Sequence, residues 1–240
     1  MPVIQALLFD VFGTLVDWRE SIAREVAKIL EPQGVVADWH QFADAWRDQY
    51  QPAMEEVRAG RLPFSKLDVL HRRNLDIVLK HLGLERVDEV ARIELNLAWH
   101  RLDAWPDVAS GLRRLRERFR LAPCSNGNVS LMVDLARRND LPWDAILGAE
   151  IARDYKPKPV VYLASAAAFD CDPNQTMMVA AHSSDLAAAA RAGLRTAFIA
   201  RPNEHGPGKG ERRASTIVDL EANDLNSLAD TLLRDRLTIG

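Results

Sequence analysis

Residues 3–9 form an apolar run with β-branched members and read as a strand buried on both faces. The run ends at Asp10, and Gly13 breaks any continuation. Over residues 17–101 the period changes to that of amphipathic helices. Ile22, Val26, Ile29 and Leu30 share one spacing, as do Trp39, Phe42, Ala43 and Trp46. The same holds for Leu67, Leu70, Leu75, Val78, Leu79 and Leu82, and for Val90, Ile93 and Leu97. Pro63 and Gly83 punctuate these stretches. Beyond Trp105-Pro106-Asp107 strand and helix patterns alternate, with strands at 120–125, 145–149, 176–181 and 196–199 and helices at 131–138, 160–169 and 186–192. The pattern predicts an α/β fold: a Rossmann-like parallel sheet core from residues 1–16 and 102–240, with an all-helical cap, 17–101, inserted after the first strand. Such an insert falls over the strand tips, where it can exclude water. Residues 202–213, rich in Gly, Pro and charge, read as a flexible loop.

At 240 residues and 48% hydrophobic, the chain can bury a large core. A net charge of −3 gives no general attraction to nucleic acid or to an anionic membrane, and the cluster Arg113-Arg114-Leu115-Arg116 reads as a solvated helix face. Cys124 and Cys171 are the two cysteines; neither a disulfide framework nor a zinc-type Cys/His spacing follows, and a cytoplasmic setting fits. No signal-like start and no membrane-spanning apolar run is expected.

Asp10 stands at a strand tip, where parallel α/β sheets place ligands. Taken alone, Phe9-Asp10-Val11-Phe12-Gly13-Thr14 reads equally as a capped turn. Three further strand-end signals accompany it: Ser125-Asn126-Gly127, Lys156-Pro157 and His182-Ser183-Ser184-Asp185. Read singly, the serines, Thr14 and Asp185 are ordinary turn and helix caps, Lys156 a solvated cation, and His182 and Tyr162 core residues.

Together, in this order and with a helical insert after the first, FDVFGTLVDW, SNGN, YKPKPVVY and AAHSSD resemble the haloacid dehalogenase-like hydrolases. Within that superfamily they look most like the type II 2-haloacid dehalogenases, including the branch associated with defluorination. The resemblance implies that Asp10 attacks the halogen-bearing carbon, expels halide and forms an ester that water cleaves to a 2-hydroxy acid, with S substrates inverted. It implies catalytic Asp10, Lys156 and Asp185: Lys156 keeps Asp10 ionised, and Asp185 supports Lys156 and activates water. Thr14, Ser125 and Asn126 would position Asp10 and the substrate carboxylate, Tyr162 would hydrogen-bond within the site, and Arg47 would meet the halide or carboxylate. His182 and Ala180 depart from the family's Asn and Ser, and a neutral His182 in the substrate site would donate to halide or orient water. Trp18, Trp39 and Trp46 would pack the lid into a tight pocket for short acids, although aromatic residues at helical spacing read equally as simple core.

Phosphatases of the superfamily carry a second Asp two residues after the nucleophile, which protonates the leaving alkoxide and helps bind magnesium; here that residue is Phe12. A phenyl ring donates no proton, so the leaving group should depart stably as an anion, and neither metal nor cofactor is expected. The expected partner is thus a small 2-haloacid, and the resemblance leaves a homodimer through the lid helices open. Two other readings stay beside this one: a magnesium-dependent phosphatase of a small metabolite, and a catalytically silent binding module on the same scaffold.

Overall fold

A computed structural model describes residues 3–234; the outermost residues of the expected core segments, 1–2 and 235–240, lie outside it. The elements run β1 (Ala6–Phe9), β2 (Val16–Asp17), α1 (Trp18–Leu30), α2 (Trp39–Asp48), α3 (Tyr50–Arg58), α4 (Leu67–His81), α5 (Glu89–Asn96) and β3 (Asp103–Ala104). They continue α6 (Val108–Arg116), β4 (Arg120–Ser125), α7 (Val129–Asn139), β5 (Leu147–Gly148), α8 (Ala149–Ala152), α9 (Pro159–Ala167), β6 (Thr176–Ala180), α10 (Ser183–Arg191), β7 (Arg195–Ile199), β8 (Leu220–Ala222) and α11 (Leu225–Arg234).

Six strands pair in parallel in the order β5-β4-β1-β6-β7-β8. With β1 in the middle, all four of its side chains are buried. The strand period of two divides them: Leu7 and Phe9 enter one apolar core with Leu121, Met177 and Val179, whereas Ala6 and Leu8 enter a second with Ala122, Met178 and Phe198. Helices α1 to α5 lie between β2 and β3, which pair antiparallel as Val16↔Ala104 and Asp17↔Asp103, so the chain leaves and re-enters the sheet layer through one short ribbon. Asp17, Asp38 and Asp88 cap α1, α2 and α5 by accepting from backbone N–H groups of the first turn.

The first strand begins at Ala6 instead of residue 3: Gln5 still bonds to Gln175 and Arg120, but Val3, 67% exposed, projects past the ends of the neighbouring strands. The strand expected at 145–149 shrinks to Leu147–Gly148, because α8 starts at once and Gly148 turns with φ +111° against the Ser125 backbone. In α5 the buried residues are Ala91 and Leu95, while Val90, Ile93 and Leu97 of the expected apolar face are exposed. Residues 202–213 run mostly exposed as expected of a loop, but Glu204 turns inward and is 2% exposed, and Gly210 N–H bonds to the Pro202 carbonyl. Among the described residues no helix is long and apolar enough to cross a membrane.

Candidate active site

The C-terminal ends of β1, β4 and β6 converge on one carboxylate. Asp10, the residue after β1, is 7% exposed, and its N–H bonds to the Val179 carbonyl at 3.0 Å, which ties the residue to the neighbouring strand. Its Oδ1 accepts from Lys156 Nζ at 2.9 Å. Its Oδ2 accepts from the Thr14 hydroxyl at 2.7 Å and lies 3.0 Å from His182 Nδ1. The Thr14 hydroxyl in turn accepts from Ala181 N–H at 2.9 Å, so Thr14 has one orientation only.

Lys156 is 6% exposed, and its ammonium also reaches Asp185 Oδ2 at 2.5 Å. It therefore stands between two carboxylates. The other Asp185 oxygen accepts from Tyr162 at 2.5 Å. Burial alone would push the Asp10 carboxyl up, but the Lys156 charge and the His182 bond and charge outweigh it and hold Asp10 well below the usual carboxylate range. Burial likewise works against the Lys156 charge, and the fields of Asp10 and Asp185 overcome it, so its pKa lies well above the ordinary lysine value.

His182, which follows β6 and caps α10, is a bridge. Its Nε2 lies 2.9 Å from Glu204 Oε2, opposite the Nδ1 contact with Asp10. Despite desolvation, the bonds and charges of Asp10 and Glu204 push the imidazole up to about 10. Glu204 also accepts from Trp18 Nε1 at 3.2 Å. Burial would raise its carboxyl, but His182 holds it below the ordinary glutamate value.

A cleft of about 460 Å³ opens over this group, with Asp10, Phe12, Asn126, Lys156, His182 and Asp185 at its floor and Arg47, Tyr50 and Arg58 of the helical insert facing them. Phe12 sits edge-on to Tyr50 and Trp99. Arg47 places its guanidinium 4.1 Å from the Tyr50 ring centroid, and its buried Nη1 has no hydrogen-bond partner. Arg58 spans insert and core by donating to the Lys156 carbonyl at 2.9 Å. Asn126 accepts from Lys156 N–H at 2.8 Å and so sets the lysine's backbone. Among the described residues no group of three or more His, Cys, Asp or Glu is arranged to hold a metal ion.

Several sequence expectations are corrected here. Ser125 is fully buried and accepts from Gly127 N–H at 3.0 Å, so it shapes the turn after β4 and does not reach Asp10. Thr14 and Tyr162, also fully buried, do make the hydrogen bonds expected of them, to Asp10 and Asp185. Trp46 lies in the insert's own core, bonded to the His71 carbonyl and packed on Trp99, and Trp18 lies beneath Arg47 and against Glu204; neither lines the cleft. Trp39 bonds to Glu31 away from it. Sequence reading missed Glu204, Tyr50 and Arg58. Glu204 lay in a Gly/Pro-rich stretch that resembles any surface loop; its one signal was Gly13, whose absent Cβ makes room for it.

Known proteins resemble this chain over nearly its whole length. A crystal structure of a defluorinating L-2-haloacid dehalogenase superposes with a TM-score of 0.93 at 43% identity, covering 96% of this chain and 95% of that one. A second L-2-haloacid dehalogenase crystal structure gives a TM-score of 0.92 at 44% identity, covering 96% and 99%. (S)-2-haloacid dehalogenase 1 of Pseudomonas sp. (strain CBS-3) is 29% identical over 92% of this chain and 96% of its own length. The family profile of the haloacid dehalogenase-like hydrolases matches residues 4–193, and the chain belongs to that family.

Proposed function

We propose that this protein hydrolyses short 2-haloacids, haloacetates and (S)-2-haloacids, to 2-hydroxy acids through an ester on Asp10 and without a metal. The observation that carries the reading is the buried Asp10 carboxylate paired to Lys156, with the Phe12 ring in the cleft where a phosphatase needs an acid. Lys156 keeps Asp10 anionic and aimed, as a nucleophile requires, at a cost in flexibility that the Asn126 and Asp185 contacts meet. The unpartnered Arg47 Nη1 is available to a substrate carboxylate at the far wall. Asp185, in the cleft and hydrogen-bonded to Lys156, takes a proton from the water that cleaves the ester. Residues 17–101 act as the cap that closes over these groups, and the free thiols of Cys124 and Cys171 suit a reducing cytoplasm. Identity to a defluorinating dehalogenase supports fluoroacetate as a substrate.

The test measures halide released from fluoroacetate, chloroacetate and both 2-chloropropionate enantiomers, with and without chelator. A single turnover in ¹⁸O-water should label Asp10, Asp10→Asn should release no halide, and chelator should change nothing. Label found only in the product, or activity that needs magnesium, rejects the mechanism.

A further inference from the structure

From the sequence, His182 reads as a neutral donor to halide or water, and Glu204 as part of a loop. Together with Asp10 they form a continuous line of carboxylate, imidazole and carboxylate: Asp10 Oδ2 to Nδ1 at 3.0 Å, then Nε2 to Glu204 Oε2 at 2.9 Å. The two Asp10 oxygens are not equivalent. Oδ2 meets both Thr14 and His182, whereas Oδ1 meets Lys156.

We propose that Asp10 Oδ1 is the attacking oxygen and that His182, held cationic by Glu204, stabilises the oxyanion that forms on Oδ2 when the ester is hydrolysed. His182 is then a catalytic residue, and Glu204 a positioning residue acting through it. The inference rests on the dehalogenase reading above.

The electrons and protons balance. A lone pair of Oδ1 forms a bond to C2, and the carbon–halogen pair leaves with the halide. Water then attacks the Asp10 Cγ, and the carbonyl π pair moves onto Oδ2, where the Thr14 hydroxyl and the imidazolium N–H already point. Donors placed beforehand where charge develops are the most effective arrangement for stabilising such an intermediate. As the C=O bond reforms, the Cγ–Oδ1 bond breaks. The alkoxide takes the proton that Asp185 removed from water, and the second water proton leaves for solvent as Asp10 returns to carboxylate.

Alkylation of Asp10 also explains the need for Glu204. In the free enzyme two carboxylates favour the proton on His182. In the ester one of them is neutral, and Glu204 alone keeps the ring charged for the second half-reaction. Around this pair stand Lys156 on Asp10, Asp185 of α10, and Arg47, Trp18 and His205 about Glu204. Glu204 is 2% exposed, so its field on the ring is little screened by water.

Rapid-quench single turnovers with chloroacetate separate chloride release from ester breakdown, with the adduct followed by intact-protein mass. In His182→Asn, chloride release should stay within about threefold of the parent, ester breakdown should slow roughly 10²-fold, and the adduct should accumulate. In Glu204→Gln, which keeps the volume and an acceptor for Trp18, breakdown should slow about tenfold at pH 9 and recover at pH 6. The alkaline limb of breakdown should move down by at least one pH unit. Breakdown at the parent rate with an unmoved limb in Glu204→Gln, or a loss confined to chloride release in both variants, overturns the proposal. A parent that releases no chloride overturns the dehalogenase reading instead.

Discussion

Gly13 and Glu204, far apart in sequence, occupy one volume: a Cβ on Gly13 would stand 2.0 Å from Glu204 Oε1. Gly13 also has φ +85°, a conformation that side-chain-bearing residues rarely adopt. Gly13→Ala should therefore strain the turn by about 1–2 kcal/mol and displace the carboxylate behind His182. The expected signature is a lowered unfolding midpoint together with the same downward shift of the alkaline limb as in Glu204→Gln. A variant with only the stability loss would mean that Glu204 finds its place without the glycine.

Among the described residues, Lys156 is the one cation that touches both Asp10 and Asp185. Lys156→Met keeps much of the volume and leaves two buried carboxylates facing each other. Removing one partner of a buried ion pair costs roughly 3–5 kcal/mol. Asp10 should then rise, because burial is opposed by His182 alone and Asp185 faces it as a like charge. Halide release should fall by at least about 10²-fold at pH 7 and regain part of the loss at higher pH, read from a pH–rate profile.

Phe12 is 2% exposed, with Trp99 and Tyr50 edge-on to it. Phe12→Asp supplies the acid that the phosphatases use but removes an aromatic from a packed cluster. The loss should be about 3–5 kcal/mol in denaturant unfolding.

His71 is 1% exposed, stacks on Trp99 at 4.3 Å and has no partner for either ring nitrogen; desolvation pushes it down to about 3. Its folded pKa lies below the unfolded value of 6.5, so its contribution is full above that value and fades as pH falls toward about 3. His182 has the opposite sign: raised to about 10, it contributes fully below 6.5, and that contribution fades as pH rises through about 10. Conformational stability should therefore peak near pH 6.5 with losses on both sides. His71→Phe should flatten the acid side and stabilise by about 1 kcal/mol at neutral pH, by removing two unpaired nitrogens. His182→Asn should flatten the alkaline side. Denaturant midpoints at pH 4.5, 6.5 and 9 decide both.

The residues that carry chemistry were legible because each follows an apolar strand whose end is marked in sequence. Asp10 closes Ala6–Phe9, the Asn126 turn closes Arg120–Ser125, and His182 follows Thr176–Ala180. Parallel strands with short connections bring such ends together whatever the details between them, so periodicity and position predicted the sheet and its strand-end signals, and the family resemblance singled out Asp10, Lys156 and Asp185 among them. The helical insert was equally legible from its period, but not which way its faces turn. Val90 and Ile93 repeat like core residues yet lie in solvent, since burial depends on which neighbour a helix meets.

What sequence determined, then, was the order of elements, the place of Asp10 at a strand end and the absence of an acid at Phe12. Tertiary structure alone decided that Trp46 is core and Ser125 a turn former, and that Glu204 reaches His182 through the space that Gly13 leaves. Local pattern records what a residue does along its own element. The contacts of Glu204 with His182, Trp18 and the space over Gly13 are set by the closing of the whole fold, and no local period carries them.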